Sequence, residues 1–126
     1  MSCPFCTLPI ERIVEENEYA IWIYDGFPVS PGHSLIIPKR HIGSFFEAKL
    51  EERLALLELL DKANTTITQQ NNPDAFNIGI NDGTAAGQTI PHLHLHLIPR
   101  YNGDVADARG GVRWVIPEHA DYWSAR

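Results

Sequence analysis

The chain has 126 residues, 44% of them hydrophobic, and a formal net charge of −6. That length suits one domain with a real core and is short for two. The acidic balance argues against a nucleic-acid partner bound by broad phosphate neutralisation, but a small anion in a locally positive site remains open. No apolar run approaches the ~20 residues of a membrane span, and MSCPFC lacks the basic-then-apolar order of a secretory signal, so the expected location is cytoplasmic, with no membrane partner.

In chain order, Cys3-Pro4-Phe5-Cys6 comes first. In a cytosolic protein this spacing suggests metal or redox chemistry before a structural disulfide. ERIVEENEYAIWIYD reads as two strands around Asn17-Glu18, GFPVSPGH as a loop, and HSLIIP as a short strand stopped by Pro38. SFFEAKLEERLALLELLDKANTTITQQ is the one strong helix. Ser44 and Glu47 form a capping-box pattern, and Leu50, Leu54, Leu57, Leu60, Asn64 and Ile67 recur at spacings of three and four, which predicts the buried face. A later start near Leu50, after a short turn over Phe45–Ala48, fits equally.

AFNIGIND is a further strand, turned by Asn81-Asp82-Gly83, and GTAAGQT is a loop. HLHLHLIP alternates until Ile98-Pro99. From about Tyr101 the tail is loop-rich, with an apolar, aromatic patch at Trp114, Val115, Ile116, Tyr122 and Trp123 that could meet a second copy or fold back on its own sheet. Several strands and one long helix without βαβ alternation predict an α+β fold, a mainly antiparallel sheet in a single domain over residues 1–126.

The alternating histidines His92, His94 and His96 are three of the chain's six. On a strand they share one face, with Leu93, Leu95 and Leu97 on the other, against the helix. A solvated strand face needs no imidazole, since threonine, lysine or glutamate would serve without titrating near neutral pH. Adjacent rings could share one zinc, but His92 and His96 are about 13 Å apart at Cα, too far for one ion to take all of them. A division of labour along the row is expected.

HLHLHLI resembles the signature of the histidine triad (HIT) family, and SPGHSLIIPKRH and NDGTAAGQT resemble that family's second strand–loop segment and phosphate loop. The likeness runs from Cys3 to about Asp104. The tail segment RGGVRWVIP resembles bacterial members of diadenosine-polyphosphate-hydrolase type. The resemblance implies a HIT-like five-stranded sheet with one long helix, usually continued across a homodimer. It implies that His94 attacks the α-phosphorus of a small nucleotide, giving a nucleotidyl-histidine that water hydrolyses, with the His92 carbonyl holding the other ring nitrogen. His96 and His33 would act on the phosphate side, and His96 would help protonate the leaving group. Asp25 would bind the ribose, while Asn81, Gly87, Gln88 and Thr89 would line the phosphates. It also implies a structural zinc held by Cys3, Cys6, His41 and His92, with no catalytic metal or organic cofactor.

Diadenosine polyphosphates are the expected substrates and nucleoside phosphoramidates the alternative. Two readings of other classes stand beside these: a catalytic zinc hydrolase built on His92, His94 and His33, and a nucleotide-binding module without turnover. Asn81, Gly87 and Asp25 also suit simple turns, the Cys-x-x-Cys also suits a metal-free thiol pair, and His119 reads as a surface residue. Lys39, Arg40, Arg100, Arg109 and Arg113 could supply a positive field for a polyphosphate or be ordinary surface charges.

Overall fold

The computed structural model describes residues 3–124. Strand β1 (Ile13–Glu16) pairs with β2 (Ala20–Tyr24), and β2 with β3 (Ser34–Pro38). Helix α1 (Leu50–Asn71) then crosses to β4 (Ala75–Ile80), and β5 (Leu95–Arg100) inserts between β3 and β4. The result is a five-stranded sheet of order β1-β2-β3-β5-β4, every pair antiparallel. Both β3 and β5 are interior strands, so their backbone polar groups have partners on each side.

Strand alternation sorts the side chains into two layers. Ala20, Trp22, Ile36, Leu93, Leu95 and Leu97 pack against α1, as alternation requires of the leucines. On the opposite face Ile23, Leu35 and Ile37 gather around Phe5 from the N-terminal segment. Strand β3 is buried along its whole length because apolar material covers both of its faces.

The later helix start is the one observed. Phe45–Glu47 forms a separate 3-10 turn with the Ser44/Glu47 capping box, and α1 begins at Leu50. It ends at Asn72, in the left-handed conformation at φ 50°, one residue before Pro73. The predicted row is buried only towards its end, where Ile67 is buried and Leu60 is half-buried against the core. Leu50, Leu54 and Leu57 are exposed, while Ala55, Leu56, Leu59, Ala63 and Ile67 face the sheet. The alanines let the helix backbone approach the sheet closely. Glu52 is buried on this side because it accepts paired hydrogen bonds from Arg40, at 2.9 and 2.8 Å, and one from the Lys49 amide. The Arg40 bonds hold its carboxyl down to about 2.

Strand β5 is shorter than the alternating stretch predicts. Pairing starts at Leu95, so His92 and His94 precede the regular ladder, and Pro99 lies inside the strand. The tail is also more ordered than predicted, with a 3-10 turn over Gly111–Val115 and a short helix α2 (Pro117–Ala120). It folds back towards β4, the second of the alternatives left open.

Candidate functional site

The register of β2, β3, β5 and β4 sets the site. Ile23 pairs with Leu35, Leu35 with His96, and His96 with Gly79, forming one row on the face away from the helix. Paired residues share a face, so an apolar wall, the histidines and an open glycine lie side by side across the sheet.

Main-chain partners set the tautomers of His92, His94 and His33, and His33 in turn sets that of His96. His92 Nε2 donates to the Pro38 carbonyl at 2.8 Å, which leaves the Nδ1 lone pair free. His94 does the reverse: Nδ1 donates to the His92 carbonyl at 2.8 Å, so Nε2 carries the free lone pair. His33 Nδ1 accepts from the Val29 amide at 3.1 Å, so its proton is on Nε2, 2.9 Å from His96 Nδ1 and 3.3 Å from Asp25 Oδ2. His96 must then accept at Nδ1 and keep its proton on Nε2. Burial, reinforced by His94 and His33 and opposed by Asp25, lowers His96 to about 4. Burial lowers His33 as well.

Among the described residues, ligand-capable atoms come together in two groups: Cys3, Cys6, His41 and His92, and Asp25, His33 and His96. His94 belongs to neither. In the first group His92 Nδ1 lies 3.4 Å from Cys3 Sγ, 3.5 Å from Cys6 Sγ and 3.1 Å from His41 Nδ1, and Cys6 Sγ lies 3.2 Å from His41 Nδ1. Tetrahedral zinc with bonds of about 2.3 Å to sulfur and 2.0–2.1 Å to nitrogen spaces its ligand atoms by roughly 3.3–3.8 Å. The donor set and the free Nδ1 lone pair of His92 fit such an ion, with the two His41 distances, 3.1 and 3.2 Å, just short of that spacing, and the Pro38 carbonyl is the outer partner that such histidines commonly have. Phe5, between the two cysteines in sequence, sets its ring edge-on to His94 at 5.2 Å between centroids.

The phosphate-loop positions fare unevenly. Gln88 is committed to closing the loop: Oε1 accepts from the Gly83 amide, and Nε2 donates to the Gly43 and Ile90 carbonyls. Gly87 has φ 97°, which only glycine adopts without strain. Asn81 and Thr89 are exposed. Asp25 also accepts from the Phe27 amide, as a turn residue would, while still reaching His33. His119 is exposed in the tail, as read.

The five named cations are each engaged, as ordinary surface charges would be. Lys39 pairs with Glu16, Arg40 with Glu52, Arg100 with Asp104 and Arg109 with Asp107, and Arg113 donates to the Ala120 carbonyl. Beyond His96, between the β4–β5 face and the tail, lies a cleft of 770 Å³ that sequence reasoning missed. Its members belong to distant segments, and only the Gly110-Gly111 pair that turns the tail was a signal.

Residues 10–103 match the HIT domain family. The chain is 36% identical to an uncharacterised HIT-like protein of Mycoplasma genitalium, over 79% of this chain and 74% of that one. It is 34% identical to an adenylylsulfatase of Arabidopsis thaliana, over 89% of this chain and 59% of that one. With a bis(5'-nucleosyl)-tetraphosphatase of Schizosaccharomyces pombe it shares 39% identity over 64% of its length and 44% of that protein's. A zinc-bound histidine triad family protein from Mycobacterium smegmatis superposes with a TM-score of 0.73 at 36% identity, covering 84% of this chain and 80% of that one.

Proposed function

The chain belongs to the HIT family, and on that premise we propose that it hydrolyses or transfers nucleotides at the α-phosphate through a nucleotidyl-His94 intermediate, with diadenosine polyphosphates as substrates. The observation that carries this reading is the His94 Nδ1–H bond to the His92 carbonyl, which leaves Nε2 as the nitrogen available for attack.

Nε2 of His94 attacks the α-phosphorus. The nitrogen–phosphorus bond forms as the bond to the leaving oxygen breaks, and the leaving group takes the electron pair. Nδ1–H stays on the adduct, whose positive ring the His92 carbonyl stabilises. Water then attacks phosphorus, the nitrogen–phosphorus bond breaks, and the pair returns to Nε2 while the water proton passes to solvent. The His96 Nε2–H donates a hydrogen bond to the developing charge, and the tautomer chain from Val29 through His33 keeps it a donor.

That chain also bears on the substrate. A neutral His96 that gave up its Nε2 proton outright would become an anion, because His33 has no spare proton to pass on. Leaving groups that depart as stable anions, such as a nucleoside polyphosphate, need only the hydrogen bond, whereas an amine from a phosphoramidate needs the proton itself. This favours the polyphosphate reading over the phosphoramidate one. The tetraphosphatase and adenylylsulfatase relatives are named for substrates whose leaving groups are of that anionic kind.

Asp25 is assigned to the ribose, and Asn81, Thr89 and the backbone around Gly87 to the phosphates. Gln88 acts through the loop it closes. Zinc at Cys3, Cys6, His41 and His92 would fix the N-terminal segment and the position of His92, and through its carbonyl that of His94. Such a centre needs reduced thiols, which supports a cytoplasmic location. The single domain and a homodimer complete the proposal.

The decisive test is intact-protein mass spectrometry after mixing the enzyme with diadenosine tetraphosphate. An adenylyl mass gain is expected on the wild type and absent from His94→Ala. Turnover by His94→Ala at the wild-type rate would refute the mechanism, and no turnover by the wild type would leave only a binding module.

A further inference from the structure

The cleft beside His96 continues the row of paired residues across the sheet. Its floor includes His96 and Ile98 on β5 and Gly79 on β4, and its far wall comes from the tail, at Trp114, Val112 and Val115. Across the face the order is fixed by register: the Ile23–Leu35 wall on β2 and β3, then His96 on β5, then Gly79 on β4. A nucleoside held at the first wall and attacked at the histidines would send its leaving group towards the third. Gly79 leaves that path clear, since a Cβ there would have no atom within 4 Å.

The far wall is held in place. Gly110 and Gly111 turn the tail with φ 94° and 46°. A Cβ at Gly110 would lie 3.0 Å from the Trp123 ring, so the tail closes on itself there. Trp114 Nε1 donates to the Arg109 carbonyl at 2.8 Å, and the Arg109 guanidinium lies 5.0 Å from the Trp123 ring centroid. Arg100, on the rim, is engaged by Asp104 and by Asn77. The lining is mainly aliphatic with Trp114 as its aromatic side chain, and its charged members Arg100, Asp104 and Asp107 are paired, Asp107 with Arg109.

Resting on the nucleotidyl-His94 reading, we infer that this cleft is a leaving-group subsite for a planar aromatic group, selected by Trp114 and by the space above Gly79. Two sources carry that chemistry, the second nucleoside of a dinucleoside polyphosphate and an aryl group esterified directly to the nucleotide. A small anion such as sulfate would leave the cleft unfilled.

The test compares kcat/KM for diadenosine triphosphate and for the 4-nitrophenyl ester of AMP, each divided by kcat/KM for adenylyl sulfate. Trp114→Ala removes the stacking ring. Gly79→Val adds bulk to the floor at a strand position that accepts a β-branched residue. In both variants the aromatic-to-sulfate ratio should fall about tenfold. A fall for the dinucleotide identifies the second nucleoside as occupant, and a fall for the nitrophenyl ester alone identifies a directly attached ring. Ratios within about twofold of wild type in Gly79→Val overturn the assignment, whatever Trp114→Ala does. If the wild type forms the His94 adduct and the ratios stay unchanged, the cleft assignment alone fails. If no substrate gives an adduct, the functional reading fails and the subsite with it.

Discussion

His92, His94 and His96 sit at alternate positions, yet each ring has a different hydrogen-bond partner. His92 turns its lone pair towards the cysteines, His94 turns its own the other way round the ring, and His96 is made a donor by His33. The rings differ along the row because their partners differ: a carbonyl for His92 and for His94, and for His96 the His33 ring that the Val29 amide sets. His96 provides a measurable consequence. Its folded value lies near 4, below the unfolded value of about 6.5, through burial first and then its neighbours His94 and His33, with Asp25 opposing. The folded state therefore binds fewer protons than the unfolded one between these values. The stability this confers is complete above about 6.5 and is lost as the pH falls through 4. A titration of the His96 ring followed by NMR should show a midpoint near 4, and a midpoint at 6 or above would contradict the burial and the tautomer chain. The identity of these residues was legible because the spacing is rare and chemically expensive. Their partners were not, since the Pro38 carbonyl and the Val29 amide lie far off in sequence and nothing in their residue type marks them as acceptor or donor.

At the level of elements, the N-terminal segment shows how a short piece of chain is fastened to a sheet. Cys3 and Cys6 carry it to His41 and His92, and Phe5 between them enters the apolar cluster with Ile23, Leu35 and Ile37. Bound zinc would stabilise the folded state by preferential binding, so chelation should lower the melting temperature by about 5–10 °C. Cys3→Ser should reproduce the shift, and metal analysis should find about one zinc per wild-type chain. No shift on chelation together with a metal-free wild type would reduce the pair to free thiols. Strands β1 to β4 were read correctly from their β-branched content and their turn residues, while β5 starts three residues later than its alternation suggests. Helix α1 was legible as a helix, but the first half of its predicted buried face was misread. It carries leucines on two stripes, and the row at Leu50, Leu54 and Leu57 is the more regular one. The sheet selects the other, where small Ala55 and Ala63 permit close packing and Glu52 brings its own Arg40. The tail failed for the same reason on a longer scale, because the contact of Gly110 with Trp123 exists only once both segments have folded.

For the whole molecule, the misread stripe becomes informative. Scattered surface leucines are ordinary, but Leu50, Leu54 and Leu57 are 72%, 56% and 53% exposed and lie on one face at spacings of four and three. Strand β4 forms one edge of the sheet, with Ile78 exposed on it. An uncovered apolar helix face and an open strand edge are features that a chain in solution tends to cover. A second copy offers both features at once, and a two-fold contact is the commonest way to use one surface twice. The wild type should therefore sediment at twice its 14.2 kDa mass. Leu54→Glu with Leu57→Glu should return it to the single-chain mass without changing its helical circular dichroism, because neither side chain reaches the core. A wild type that sediments as a single chain at about 50 μM, well above the concentration at which a standard-size interface holds, would place the stripe among ordinary surface residues and leave each histidine face to stand alone.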